Sequence, residues 1–552
     1  MSTAFRQAIA RAASHALVVP IVIFMLAFTY RFNTLGGALG GFDNDHFLYF
    51  VLAKQVQAGE QPLRDFQDAM HGARPSLTYE LSAAAQRYLG DNLRSEAVLT
   101  AGGVALGAAG AFIAGRAIAP WPWALTTALL SVLLSPKLYG YPKVLVIAVA
   151  SLLIVRGARP LTWGRVAAMS LWTAVAFLFR HDYAVYCAVG FVAMIAIAGG
   201  PRWRNRIERG VAYVVVTALL LMPSLWWIQR YSGLTEYVRN AREMSLNEYE
   251  RTQIGWPAFN LGDRSPFALF ESDENAEAWI YYLFLGVPVL VIGIAAWKFR
   301  SQSEPDPRLG SLVALSAMTA VLAHFLLRGN VSARFGDMGP AVAVLGAYLL
   351  FMATTRGRPS PRKILVASLA IAVLAVTVVC TWRVAGVGRE LRLARLLEPQ
   401  HVFARLRQVS TELAGMPRSL RESQAADRMQ AADYLDRCTR PTDRVIAVGY
   451  YPEVLAFAER RFAGGRVTFV VGNYADERYL RETIAKLRSQ SVPIILGGRE
   501  VDYSEFGLLG DYIRAHYNDV GAVTINGDSL RVWVRRGLPA TMSGPGGLPC
   551  FG

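Results

Sequence analysis

Between Lys363 and Arg383 the chain reads Ile364-Leu365-Val366-Ala367-Ser368-Leu369-Ala370-Ile371-Ala372-Val373-Leu374-Ala375-Val376-Thr377-Val378-Val379-Cys380-Thr381-Trp382, with no charged residue. A run of this length and character is what one α-helix needs to cross the hydrocarbon core of a bilayer. It has many counterparts. Apolar runs of the same kind predict helices at roughly 15–31, 96–118, 121–136, 143–156, 164–179, 184–199, 211–229, 278–297, 310–327, 339–354 and 363–383. Of the 552 residues, 53% are hydrophobic, and the mean hydropathy is +0.29. That average excludes an ordinary soluble chain of this length.

The charges support the same layout. The formal net charge is +16, which in a soluble protein would suggest nucleic acid. Here the cations sit in short loops between apolar runs, and nucleic acid is excluded as a partner. With the N-terminus inside, the cytoplasmic loops carry Arg116; Arg156, Arg159 and Arg165; Arg202, Arg204, Arg206 and Arg209; Lys298, Arg300 and Arg308; and Arg356, Arg358, Arg362 and Lys363. This is the positive-inside pattern at full weight, because the loops are short. The long segments 32–95, 230–277 and everything after 384 fall outside, as do 137–142, 180–183 and 328–338. One helix more or fewer would spoil the alternation. The first run follows Arg6 and Arg11 but lacks a small-x-small cleavage site, so it is expected to stay as a helix. The expected organisation is a transmembrane module over 1–383, with its first outside loop at 32–95. An α/β domain follows at 384–552, outside the cytoplasm of a bacterial inner membrane.

That second domain changes character. An Arg- and Leu-rich amphipathic stretch runs from about Gly388 to Asp436. Strands are expected at 445–448, 467–471 and 493–496, with helices at 452–460, 475–489 and 505–517 between and after them. A hairpin of 523–525 with 530–534 closes the pattern, so the sheet should be mainly parallel. The Pro- and Gly-rich tail from about 538 reads as disordered. Cys438 and Cys550 both fall in this domain and could pair outside the cytoplasm.

The segment with most chemistry is the first outside loop. It reads Gly41-Phe42-Asp43-Asn44-Asp45-His46-Phe47-Leu48-Tyr49, then a helical stretch to Ala53 and beyond, then Gly59-Glu60-Gln61-Pro62-Leu63-Arg64-Asp65-Phe66. Acidic residues beside a bilayer gain nothing from lipid and need a polar cavity, a metal or a substrate. The plain alternative is that Asp45 caps a helix over 46–58. Cations also stand on the outer side, where topology statistics disfavour them: Lys137 and Lys143, Arg180 with His181 and Asp182, Arg328, and Arg334 near Asp337. Their plain alternative is snorkelling or ion pairing among themselves, such as Arg180 with Asp182. His71 and His324 are lone histidines read as structural. No Cys/His spacing marks a metal site. Val448-Gly449-Tyr450 follows a strand without any nucleotide-binding motif.

The spacing of Asp45, Tyr49, Ala53, Gly59, Pro62, Arg64 and Asp65 resembles the first periplasmic loop of GT-C glycosyltransferases. The branch concerned holds the protein O-mannosyltransferases and lipid A aminoarabinose transferases, which are family 39-like. Leu63 stands where that pattern has Tyr, and His46 where it has an acid; Asp43 would restore a carboxylate two positions upstream. A later element of the pattern is matched loosely by Asp68 through Arg74-Pro75. The resemblance implies an α-helical polytopic GT-C fold and an inverting glycosyltransferase. Its donor would be a polyprenyl-phosphate-linked sugar, and its acceptor a lipid, glycan or protein of the cell envelope. Asp45, with Asp43, would be the catalytic carboxylates, or would hold a divalent cation (Mg or Mn). Arg74, Lys137, Lys143, Arg180, His181, Arg328 and Arg334 would be candidates for the donor phosphate. Other classes remain open: a flippase or transporter, and a non-catalytic envelope assembly protein. The expected C-terminal role is support or acceptor contact.

Overall fold

The computed structural model describes residues 3–35, 42, 44–67, 76–134, 143–157, 161–252, 255–260, 272–301, 306, 308–327, 331–355, 360–384, 399–416, 429–471, 474, 476–502, 504–525 and 527–551. Asp43, Asp68, His71, Arg74, Pro75, Lys137 and Arg328 lie outside the described residues.

The chain is a polytopic α-helical membrane protein with a C-terminal α/β domain. The helices of its first two thirds are α1 (Thr3–Asn33), α2 (Asn44–Gln57), α3 (Leu77–Leu89), α4 (Leu93–Ile118), α5 (Trp121–Leu133), α6 (Lys143–Arg156) and α7 (Trp163–Phe179). Next come α8 (His181–Ala198), α9 (Trp203–Tyr231), α10 (Leu234–Thr252), α11 (Asp273–Ser301), α12 (Arg308–Leu326), α13 (Val331–Thr355) and α14 (Pro361–Val384). Each apolar run expected to be a span has its own helix. Among the described residues six helices, including α4, α8, α9, α11 and α14, are long and apolar enough to cross a membrane. Shorter apolar stretches are Leu17–Asn33, Trp121–Leu133, Trp163–Phe179 and Arg308–His324.

Two compact units are formed. One contains Met1–Thr34, Thr100–Met222 and Thr252–Phe403; the other joins Leu35–Leu99 and Pro223–Arg251 to Ala404–Gly552.

In the first unit the helices meet through small residues and hydroxyls, which suit packing between apolar helices. A Cβ on Gly107 of α4 would lie 2.6 Å from the Val144 side chain and 2.8 Å from the backbone of α6. Only glycine allows that approach. Thr173 Oγ1 on α7 and the Tyr213 hydroxyl on α9 are 2.7 Å apart, and Trp172 Nε1 donates to the Val146 carbonyl at 3.0 Å. Trp279 Nε1 donates to Thr377 Oγ1 at 3.1 Å between α11 and α14.

In the second unit α15 (Pro399–Gly415) and α16 (Gln430–Cys438) precede a five-stranded sheet. Its strands are β1 (Arg444–Val448), β2 (Arg461–Phe462), β3 (Ile494–Gly497), β4 (Tyr517–Ile525) and β5 (Asp528–Arg535), in the order β2-β1-β3-β5-β4. The helices α17 (Pro452–Ala458), α18 (Glu477–Ser489) and α19 (Gly507–His516) connect them. β1 is parallel to β2 and β3, whereas β5 is antiparallel to both β3 and β4. The sheet is therefore mixed, not mainly parallel.

Two expectations are corrected. The first concerns Val467–Val471, which is not a strand. The parallel partner of β1 is the two-residue Arg461–Phe462, and the chain then turns at Gly464 and Gly465, both with positive φ. Val467 and Phe469 are buried all the same. The Arg466 guanidinium lies 4.6 Å from the Phe469 ring centroid and donates to the Tyr474 carbonyl at 2.9 Å. Burial pulls that guanidinium down to about 10. The β-branched run thus supplies core side chains from a loop.

The second concerns the tail, which is ordered. β6 (Met542–Ser543) pairs antiparallel with β7 (Pro549–Cys550), and Cys550 forms a disulfide with Cys438. The Tyr434 hydroxyl donates to the Pro549 carbonyl at 2.7 Å. A cross-link and a hydrogen bond from α16 supply the order that composition alone does not.

Candidate active site

Asp45 lies in the first turn of α2, not ahead of it, because the helix begins at Asn44. A carboxylate there is favoured by the helix dipole. The Tyr450 hydroxyl, from the loop after β1, donates to Asp45 Oδ1. Tyr49 and Ala53 are buried, and the Tyr49 ring lies tilted against that of Tyr79 in α3, with centroids 6.3 Å apart. His46 is buried, with its ring edge-on to Phe42 at 5.1 Å. Glu96 is also fully buried, accepting from Ser82 and from Gln86 at 3.2 Å. Sequence reasoning had passed over this acid because it stands at the start of an apolar helix.

The second half of the motif is scaffolding. Arg64 ion-pairs with Asp65 at 2.6 Å and donates to the Gly59 carbonyl at 2.8 Å. Asp65 in turn accepts from the Gln61 amide at 2.8 Å. Leu63 is held at φ 67°, a left-handed conformation that costs an ordinary residue roughly 1–2 kcal/mol. The turn is pinned from outside. Trp227 Nε1 donates to the Pro62 carbonyl at 3.0 Å, Lys486 Nζ to the Asp65 carbonyl at 2.6 Å, and the Gln67 amide to the Gly465 carbonyl at 2.9 Å. Glu60 ion-pairs with Arg444 at the start of β1. Burial lowers the Lys486 ammonium below its usual value.

The candidate cations belong to the other unit. Lys143, at the start of α6, is buried and ion-paired to Asp337 of α13 at 3.3 Å. Arg180 forms the junction of α7 and α8; it is buried and ion-paired to Asp182 at 2.8 Å. The ion-pairing alternative for Arg180 is therefore realised. His181 opens α8, and Arg334 is half-buried in α13. His324 is exposed near the end of α12. Among the described residues no group of three or more His, Cys, Asp and Glu residues could hold a metal ion. No donor set for a divalent cation is therefore assembled around Asp45 by those residues.

One more acid stands out in the C-terminal portion. Glu453 is buried at the start of α17, with no hydrogen-bond partner for Oε2 among the described residues. Burial pushes its carboxyl up to about 7, and Asp528 adds to the effect.

No protein-family model matches the chain, and no curated protein matches it in sequence. Solved structures do match. The archaeal oligosaccharyltransferase AglB from Archaeoglobus fulgidus, in complex with an inhibitory peptide and a dolichol-phosphate, aligns with TM-score 0.49 and 12% identity over 96% of this chain and 75% of its own. ArnT from Cupriavidus metallidurans, bound to undecaprenyl phosphate, aligns with TM-score 0.51 and 11% identity, covering 96% of this chain and 99% of its own. The fold of this protein is similar to that of ArnT along nearly the full length of both chains.

Proposed function

We propose that this protein is an inverting glycosyltransferase of the GT-C superfamily. It moves a hexosyl or pentosyl group from a polyprenyl-phosphate donor to a lipid, glycan or protein acceptor on the outer face of a bacterial inner membrane. The observation that carries the reading is Asp45. It stands in the first turn of the helix that follows the first membrane helix, in a first-loop pattern resembling that superfamily, on a fold similar to ArnT. In this reading Asp45 takes the proton of the acceptor hydroxyl as that oxygen attacks the anomeric carbon. The lipid phosphate departs with the bonding electrons, and outer-side cations offset its charge. Lys143, Arg180, His181 and Arg334 are the described candidates for that task. The Cys438–Cys550 disulfide supports a C-terminal domain outside the reducing cytoplasm.

Proteoliposomes of the full chain supply the test. They would be given a panel of undecaprenyl-phosphate-linked hexoses and pentoses with an envelope lipid and glycan extract, and release of undecaprenyl phosphate would be followed. Asp45→Asn should lose roughly 10²–10⁴-fold in rate, the range of general-base catalysis, with an unchanged melting temperature. A variant that turns over at the parent rate ends this assignment.

A further inference from the structure

We propose that Tyr450, in the C-terminal domain, is a positioning residue that aims the Asp45 carboxylate. The inference rests on the reading of Asp45 as the base. The two residues are 405 positions apart in sequence, and the Tyr450 hydroxyl donates to Asp45 Oδ1.

The backbone that presents Tyr450 is held on several sides. β1 lies between β2 and β3. At its end the Val448 carbonyl accepts from the Gly498 amide at 3.0 Å, and the Gly449 carbonyl from the Phe469 amide at 2.8 Å. Gly449 has φ 129°, a conformation side chains rarely adopt, and this lets the chain turn straight out of the strand. Pro452 then starts α17, a position where proline's fixed φ is already helical. That helix packs back on α2, with Phe457 and Phe47 at 5.2 Å. The segment bearing Tyr450 therefore docks on the same helix that bears Asp45.

A second contact fixes the register. Arg444 opens β1 and ion-pairs with Glu60, just beyond the far end of α2. The two segments are thus antiparallel and tied at both ends. Asp45 to Gln57 covers about 18 Å of helix at a rise of about 1.5 Å per residue. Arg444 to Tyr450 covers about 20 Å of extended chain at about 3.3 Å per residue.

A hydroxyl that donates to one carboxylate oxygen stops the group rotating. It does not remove its basicity, since a carboxylate offers about four acceptor sites. A base that is aimed delivers the proximity advantage, and a loss of aim of about 1 Å can cost 10²-fold in rate.

Tyr450→Phe removes only the oxygen and keeps the ring. In the full chain, with the same undecaprenyl-phosphate-linked sugars, kcat should fall roughly 10–100-fold and KM for the donor should stay within about twofold. The double variant with Asp45→Asn should be no slower than Asp45→Asn alone, because the hydroxyl acts only through the carboxylate. Losses that multiply in the double variant overturn the proposal, as does Tyr450→Phe at the parent rate while Asp45→Asn is slow. Asp45→Asn at the parent rate instead sinks the underlying reading. Independently of turnover, the difference infrared spectrum of parent minus Tyr450→Phe should show a carboxylate stretch shifted by a lost donor, and this signal should vanish in the Asp45→Asn background. An unchanged spectrum overturns the contact itself.

Discussion

Glu453 shows what one side chain can do to a whole domain. Its carboxyl is buried without a partner for Oε2 among the described residues and is raised to about 7. A raised acid binds its proton more tightly folded than unfolded. Between the ordinary glutamate range and about pH 7 the unfolded chain therefore loses that proton first, and stability falls as pH rises through this window. Above it the penalty is constant, on the order of 3 kcal/mol. Glu453→Gln should raise the melting temperature of the purified protein at pH 8, leave it nearly unchanged at pH 4.5, and flatten the slope between. An equal slope in parent and variant would move the cause elsewhere. Residues differ in how far they can be read from sequence. Asp45 stands out as a candidate in the sequence because its signal is local: a carboxylate followed at fixed spacing by Tyr49, Gly59 and Pro62. Tyr450 and Glu453 were not, because a partner 405 residues away and a desolvating core leave no local trace.

At the level of elements, long periodic segments were legible and short ones were not. Each of the eleven apolar runs falls on a helix, and six helices among the described residues are long and apolar enough to cross a membrane; a run of that length announces itself. β2 is two residues long and contains an arginine, so no pattern marks it. Val467–Val471 has strand composition, yet the turn at Gly464 and Gly465 takes it out of the ladder. The β6–β7 tail reads as Pro- and Gly-rich, and its order comes from elsewhere. Gly544 is where that order is most exposed to change. A Cβ there would lie 2.5 Å from the sulfurs of both Cys438 and Cys550. Gly544→Ala should hinder disulfide closure and destabilise the domain by up to about 2–5 kcal/mol, as removing the cross-link would. Thiol alkylation under non-reducing conditions should find more free Cys438 and Cys550 than in the parent. Full oxidation with an unchanged melting temperature would show that the loop can give way.

For the whole molecule the decisive quantity is sidedness, and charge alternation carries it. A reporter fused after Phe551 should be active only outside the cytoplasm; cytoplasmic activity would overturn the helix count and the proposed catalytic side together. Sidedness also frames the cations. Lys143→Ala, Arg180→Ala and Arg334→Ala should each weaken donor use by raising KM or lowering kcat. Arg488→Ala, exposed on α18, should not. Because Lys143 and Arg180 hold Asp337 and Asp182 in buried pairs, melting temperatures must be read alongside. Three variants with parental donor kinetics would place the phosphate site elsewhere. The grouping of the first loop and the 223–251 segment with the C-terminal domain was not legible from chain order, because it depends on contacts such as Trp227 to Pro62 and Asn240 to Tyr479.

The disulfide carries a consequence for how the chain is made. Its cysteines are 112 residues apart, and the whole five-stranded sheet is threaded between them. In a chain delivered N-terminus first, Cys438 emerges long before its mate. Until then the ring stays open, and α16 waits without the strand that later receives its tyrosine. The bond is a clasp fastened after the garment is on. A nascent chain stalled anywhere between the two cysteines should still present Cys438 as a free thiol.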